Sequence, residues 1–298
     1  MKFNRIVIFF IKWWVDAHNR KYMKTYHVDD DIERVEDIPY IDDGNFYHQF
    51  DLFYGNKEKK KNACIIDIHG GAYILGHRKM NTEFMEVFIK EGYDCITVDY
   101  PPNKGSRGVK DQMDDVTENL SYIFTHLKEL NLENDQFFLT GDSAGGHFAL
   151  LVTEMQKNPE IKAKFTAKPM DFKFLGILLN APVYQYENLG YEVLTEGGKK
   201  RLYGDNYNDM EERKLLSPAA HIDDLDLPLF LSTCKRDFLR SQPIALHEEL
   251  LKRNYPHTFI DIDSDKKDVS HVHNVLNINL EESKEVNNAM LDFMNNLL

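Results

Sequence analysis

An α/β architecture, with a mostly parallel central sheet covered on both faces by helices, is the fold class that this sequence predicts. Three observations carry it. The chain contains short unbroken apolar runs, "ACIIDIHGG", "YDCITVDY" and "QFFLTGDS", and strands buried on both faces require such runs. Stretches of helical period alternate with them, as in "VKDQMDDVTENLSYIFTHLKEL", where Met113, Val116, Leu120, Ile123 and Leu127 fall on one face. At 298 residues, 42% hydrophobic and 29% charged, the chain is long and apolar enough to build one large core.

The elements follow in order. Residues 1–44 read as an N-terminal helical arm, with Phe3, Val7, Phe10 and Trp14 on one face of an amphipathic helix. Its apolar run, Ile6 to Ile11, is interrupted by Lys12. A bilayer span needs about 20 residues, so no stable membrane insertion is expected. The run is also short for a secretory signal, although Val15 and Ala17 mimic a cleavage site; the reading is cytoplasmic, with secretion as the alternative. After the acidic "DDDIERVED", the segment "NFYHQFDLFYG" places Phe46, Phe50, Leu52 and Tyr54 on one face of a half-buried strand. Beyond "QFFLTGDS" come the strands "FLGILLNAP", "LPLFLSTCKRD" and "HTFIDIDS" and the helices "IALHEELLKRN" and "LEESKEVNNAMLDFMNNLL". Apolar strands separated by helices are βα units of a parallel sheet. The least regular region, about 157–220, is a candidate cap, and residues 1–298 read as a single domain.

Composition excludes several partners. A net charge of −13 argues against nucleic acid or an anionic membrane. Cys64, Cys95 and Cys234 lie far apart in apolar runs and read as buried reduced thiols, which fits a reducing compartment. His18, His77, His126, His221, His247 and His257 show no metal-ligand spacing. A small molecule is the expected partner, and a homodimer stays open.

In an open parallel sheet the chemistry sits beyond the carboxyl ends of the strands. Three strand ends here carry unusual polar residues. "GDSAGG" sets Ser143 among Gly141, Ala144, Gly145 and Gly146 just before a helical stretch, as a strained strand-to-helix turn presenting a nucleophile requires. The N–H of Ala144 would face a developing oxyanion at the positive end of that helix. "HGGAYILGH" follows a strand, and Gly70 and Gly71 can expose two further N–H donors to the same oxyanion, with His69 bracing the loop. "STCKRDFL" sets Asp237 after a strand and before a helix, suiting an acid that orients a histidine. "DSDKKDVSHVHNVLN" then offers His271 and His273 as the base. The chain order serine, acid, histidine is that of an α/β-hydrolase.

On "HGGAYILG", "GDSAGGHFAL", "LSPAAHI", "TCKRDFL" and "SHVHNV", in that order, the chain from about residue 45 onward resembles the alpha/beta-hydrolase esterases of the hormone-sensitive-lipase and carboxylesterase-like branch. The resemblance implies Ser143 as nucleophile, Asp237 as acid, His271 as base, and Gly70, Gly71 and Ala144 as the oxyanion hole. Two features depart from that pattern. "YPPNKGSRG" stands where an Arg-Leu-Ala-Pro-like stretch is common, and Cys234 stands where a glycine is usual.

The implied activity is hydrolysis of a carboxylic ester of small to medium acyl chain through an acyl-enzyme, without metal or organic cofactor. Amide-type hydrolysis on the same residues, as in an arylformamidase or small peptidase, and a non-catalytic binding module are the rival readings. Some polar residues have competing roles. Asp237 also suits a helix N-cap. Asp263, Asp265 and Asp268 crowd the strand end near His271. Asp142 is expected to hold the elbow's backbone. His147, one helical turn after Ser143, projects alongside its helix and reads as structural. The aromatics of "YQYENLGY" are candidates for lining a substrate pocket.

Overall fold

A computed structural model describes residues 27–103, 107–166, 173–189 and 196–298. The amphipathic helix expected around Phe3 to Trp14 lies outside the described residues. Eight strands form one sheet: β1 (Arg34–Pro39), β2 (Gln49–Phe53), β3 (Ala63–Ile68), β4 (Asp94–Val98), β5 (Gln136–Asp142), β6 (Phe174–Asn180), β7 (Leu229–Cys234) and β8 (His257–Ile262). Their spatial order is β1-β2-β4-β3-β5-β6-β7-β8. β2 pairs antiparallel with both β1 and β4, and every pairing from β4 across to β8 is parallel. The mostly parallel sheet and helical layers of an α/β-hydrolase fold are therefore present.

The helices are α1 (Thr82–Ile89), α2 (Val109–Thr125), α3 (Ala144–Lys157), α4 (Pro159–Lys162), α5 (Glu196–Tyr203), α6 (Met210–Leu215), α7 (Ser241–Lys252), α8 (His273–Leu276) and α9 (Glu281–Asn295). They pack as the alternation of strand residues dictates. Cys64, Ile66 and Ile68 of β3 join a core with Met113, Val116 and Leu120 of α2, Phe148 and Leu151 of α3, and Leu246 and Leu250 of α7. Ala63 and Ile65 point the other way, into a second core with Phe84 and Phe88 of α1 and Val286, Met290 and Met294 of α9. Burial on both faces explains why β3 has no polar alternation.

Two expectations are corrected here. The described part of 1–44 holds strand β1, not a helix. β1 reads "RVEDIP" and is half exposed along its length, so its charges hid the strand signal. A bulge between Val35 and Ile38, with Asp37 at φ 60°, breaks its pairing edge, a common protection for a terminal strand. The supposed cap over 157–220 is likewise not one insertion, because β6 runs through the middle of the sheet between β5 and β7. What remains is the segment between β6 and β7, with α5, α6 and short turns at Tyr186–Asn188, Pro218–Ala220 and Ile222–Asp224. Arg213 donates to the Glu187 carbonyl at 2.7 Å and the Tyr186 N–H donates to Ser217 Oγ at 3.1 Å, so this segment is folded onto itself.

Candidate active site

Ser143 is the hinge between β5 and α3. Its backbone sits at φ 54°, ψ −113°, a region that costs a non-glycine residue about 1–3 kcal/mol. The surroundings hold it there: its N–H donates to the Asn180 carbonyl at 2.9 Å, and its carbonyl accepts from Val183 at 3.1 Å. The turn is tight enough that a Cβ on Gly145 would lie 1.8 Å from the Ile68 carbonyl oxygen at the end of β3. Ala144 is the first residue of α3, so its N–H has no acceptor within the helix.

The structure brings Ser143, His271 and Asp237 into one hydrogen-bonded line. Ser143 Oγ donates to His271 Nε2 at 3.0 Å, and His271 Nδ1 donates to Asp237 Oδ1 at 2.7 Å. Asp237 lies just past β7, where its carboxylate also accepts from Thr233 Oγ1 at 2.9 Å and the Leu239 N–H at 2.8 Å. Burial works against its charge, yet the His271 hydrogen bond and these donors outweigh burial and hold the carboxyl below the usual carboxylate range. Asp237 thus orders the turn into α7 and orients His271 at once. Cys234, in place of the usual glycine, donates to the Ser270 carbonyl at 3.3 Å and so anchors the loop that carries His271. Burial pushes its thiol up to about 11, leaving it protonated and unreactive at neutral pH.

The competing residues fall elsewhere. His273 starts α8 and is buried, with Nε2 unpartnered, and among the described residues its side chain hydrogen-bonds to neither Ser143 nor Asp237. Asp263 and Asp265 are exposed and pair with Lys235; Asp268 is exposed as well. His147 is buried between the Tyr73 hydroxyl, at 3.0 Å, and the Leu216 carbonyl, at 2.7 Å. The carbonyl requires Nε2 to donate, so Nδ1 accepts from Tyr73. Burial lowers this imidazole to about 4, and it works as a neutral clamp joining α3, the 69–76 loop and the α6 end.

The 69–76 loop leaves β3 beside Ser143. Gly71 sits at φ 130°, and a Cβ there would lie 2.0 Å from the Leu75 carbonyl oxygen, so only glycine makes this turn. Gly70 needs correction as an oxyanion donor. Its N–H is spent on Asp142 Oδ1 at 2.8 Å, a bond between residues far apart in sequence that spacing does not reveal. Asp142 accordingly grips the facing loop and not the elbow's own backbone. Among the described residues no hydrogen bond engages the N–H groups of Gly71, Ala72 or Ala144.

A family model matches residues 50–250, two-thirds of the chain, under the description BD-FAE. The chain belongs to the BD-FAE family. This is a family of alpha/beta-hydrolase esterases, and the hormone-sensitive-lipase and carboxylesterase-like resemblance fits it. The matched span includes Ser143 and Asp237, whereas His271 lies beyond it. Lipase 2 of Moraxella sp. (strain TA144) is 24% identical over 253 residues, covering 70% of this chain and 57% of its own length. The chain therefore spans little more than half of that curated relative. Esterase B of Lactobacillus rhamnosis (HN001) superposes with a TM-score of 0.82 at 23% identity, covering 100% of this chain and 96% of its own. The same esterase inhibited by a tributyrin phosphonate gives 0.83 at 23% identity over 98% and 96%.

Within this BD-FAE chain, two buried networks brace the site, and neither has a local sequence signal. In the first, Asn81 Nδ2 donates to Asp142 Oδ1 at 2.8 Å and to Asp67 Oδ2 at 3.0 Å. Burial raises both carboxyls, Asp67 to about 8 with help from the Asp142 charge. Asp142 has the better donors, accepting from both Asn81 and the Gly70 N–H, so the protonated carboxyl of the two is Asp67. The folded-state value lies above the unfolded value near 3.9, so this stability is present in acid and lost as the pH rises through about 8. Asp67→Asn, which stays neutral, is expected to gain in thermal midpoint over wild type between pH 5 and pH 9; a constant difference would move the proton elsewhere.

The second network starts at His69, which is stacked on Tyr100 with ring centroids 4.4 Å apart. His69 Nδ1 donates to the Gly70 carbonyl at 2.6 Å and Nε2 to Asp99 Oδ1 at 3.1 Å. Both nitrogens face acceptors. Burial opposes the charged form, but Asp99 and the Gly70 carbonyl raise the imidazole above its ordinary value, favouring imidazolium. Behind Asp99 lies Arg78, wholly buried, donating to Asp99 Oδ2 at 3.0 Å, Asp51 Oδ1 at 2.9 Å, Gln49 Oε1 at 2.9 Å, the Phe46 carbonyl at 3.0 Å, and Asp37. This chain of charges ties the β1 bulge and β2 to the loop beside Ser143.

Proposed function

We propose that this protein is a serine hydrolase of carboxylic esters with small to medium acyl groups. The observation that carries the reading is the Ser143–His271–Asp237 line on a strained turn, beside N–H groups that have no acceptor among the described residues. Ser143 Oγ attacks the ester carbonyl carbon while His271 Nε2 takes its proton, and Asp237 fixes the tautomer and stabilises the imidazolium. The oxyanion rests on the N–H groups of Ala144 and Gly71, with Ala72 in place of Gly70. One such donor is worth about 10²–10³ in kcat. His271 then protonates the leaving alcohol as the C–O bond breaks, and water releases the acid by the reverse route. The acyl range draws support from the tributyrin phosphonate bound by the Lactobacillus esterase of the same fold.

No helix among the described residues is long and apolar enough to cross a membrane. The three free, buried thiols support a cytoplasmic setting.

The test pairs a p-nitrophenyl ester with its p-nitroanilide and adds labelling by a fluorophosphonate. Turnover of the ester well above the anilide, with label on the Ser143 peptide, is expected. Preference for the anilide would favour the amide-type reading, and absence of label with no turnover would leave a binding module.

A further inference from the structure

Phe238 follows the triad acid directly and is 67% exposed. It belongs to neither hydrophobic core, so folding gains little from it. Its ring centroid nevertheless lies 4.3 Å from that of His271, at a tilt of 47°. An exposed phenyl in a tilted contact with the imidazole is a platform with one side covered and the other open to solvent. Burying such a ring against an apolar group is favourable, and aromatic pairs add to that.

The position also says which half of an ester it meets. His271 Nδ1 is tied to Asp237 and Nε2 points at Ser143 Oγ. The proton taken from Ser143 leaves through Nε2 onto the alcohol oxygen, so the alcohol half departs on the His271 side. The acyl half stays bonded to Ser143, near the start of α3. A ring packed on His271 therefore lies beside the alcohol half. We infer that Phe238 is a specificity-determining residue for the leaving group, and that the substrates are esters whose alcohol carries an aromatic or bulky apolar group. This rests on the esterase reading above.

The test measures kcat/KM for wild type, Phe238→Ala and Phe238→Tyr on two series. One varies the alcohol on a constant acyl group: ethyl, butyl and benzyl acetate. The other varies the acyl group on a constant alcohol: methyl acetate, butanoate and 3-phenylpropanoate. Phe238→Ala is expected to lower the benzyl-to-ethyl ratio about tenfold, with the acyl series changing uniformly and Phe238→Tyr retaining the wild-type ratio. An unchanged alcohol ratio, or a loss of discrimination confined to the acyl series, would overturn the inference. Wild type inactive on both series and unlabelled by fluorophosphonate is a separate result that would remove the esterase reading and this inference with it.

Discussion

Ser143→Ala is expected to lower kcat for a p-nitrophenyl acyl ester by about 10⁴-fold or more, with little change in the thermal midpoint. The expectation of near-intact stability comes from the elbow itself. Alanine keeps the Cβ, and the N–H to Asn180 and carbonyl to Val183 bonds that hold φ at 54° are backbone bonds. The variant loses the hydroxyl and its hydrogen bond to His271. Because Ser143 and His271 act as a unit, the double variant Ser143→Ala/His271→Ala is expected to be scarcely slower than Ser143→Ala alone. Steady-state rates on purified protein decide both points; turnover near wild type in Ser143→Ala would remove the assignment of the nucleophile.

Arg78→Met is expected to have the largest effect on stability of any single change described, about 3–5 kcal/mol. The guanidinium is the shared partner of Asp51 and Asp99, both fully buried; its loss leaves Asp51 with the Asp37 N–H in place of a buried cation and leaves Asp99 to His69 and the Tyr100 N–H. Arg78→Lys is expected to recover less than half, because an ammonium cannot reproduce a planar fork that reaches Asp51, Asp99, Asp37, Gln49 and the Phe46 carbonyl together. The deficit should shrink as the pH falls, since burial already raises the Asp51 carboxyl and protonation relieves the stranded charge. Urea unfolding at pH 7.5 and pH 5 measures this. Equal deficits at both values would mean that the loss is one of packing and not of charge.

What was legible in the residues follows from where the free energy sits. β3, β5 and β7 are buried along nearly all their length, and that burial is written as unbroken apolar runs. Ser143 and Asp237 stood out because each follows such a run, where a parallel sheet exposes its carboxyl ends, and the pair His271/His273 because it comes after the one further strand, β8, that is only partly buried. The choice of His271 became a matter of geometry only with the 2.7 Å bond to Asp237. β1 escaped notice because most of its partners are ions and only Ile38 packs on the core: Glu36 and Asp37 meet Lys79 and Arg78 across the chain. Arg78 itself, in "GHRKMN", reads as a solvated loop residue, and nothing local shows that four acceptor-bearing segments close around it. The engagement of the Gly70 N–H by Asp142 has the same origin. Whether an N–H is free depends on a carboxylate 72 residues away.

The distance along the chain between Ser143 and His271, 128 residues, has a consequence for assembly. The serine turn can form once β3, β5 and β6 have paired, but the imidazole arrives only when β8 has docked on β7 and the following loop has been pinned by Cys234 and Asp237. Contacts of such separation form late, after loop closure has been overcome. Ester turnover during refolding would therefore act as a clock for the last docking event, lagging behind far-ultraviolet signals from the helices. A chain stalled before β8 would hold a shaped but silent serine.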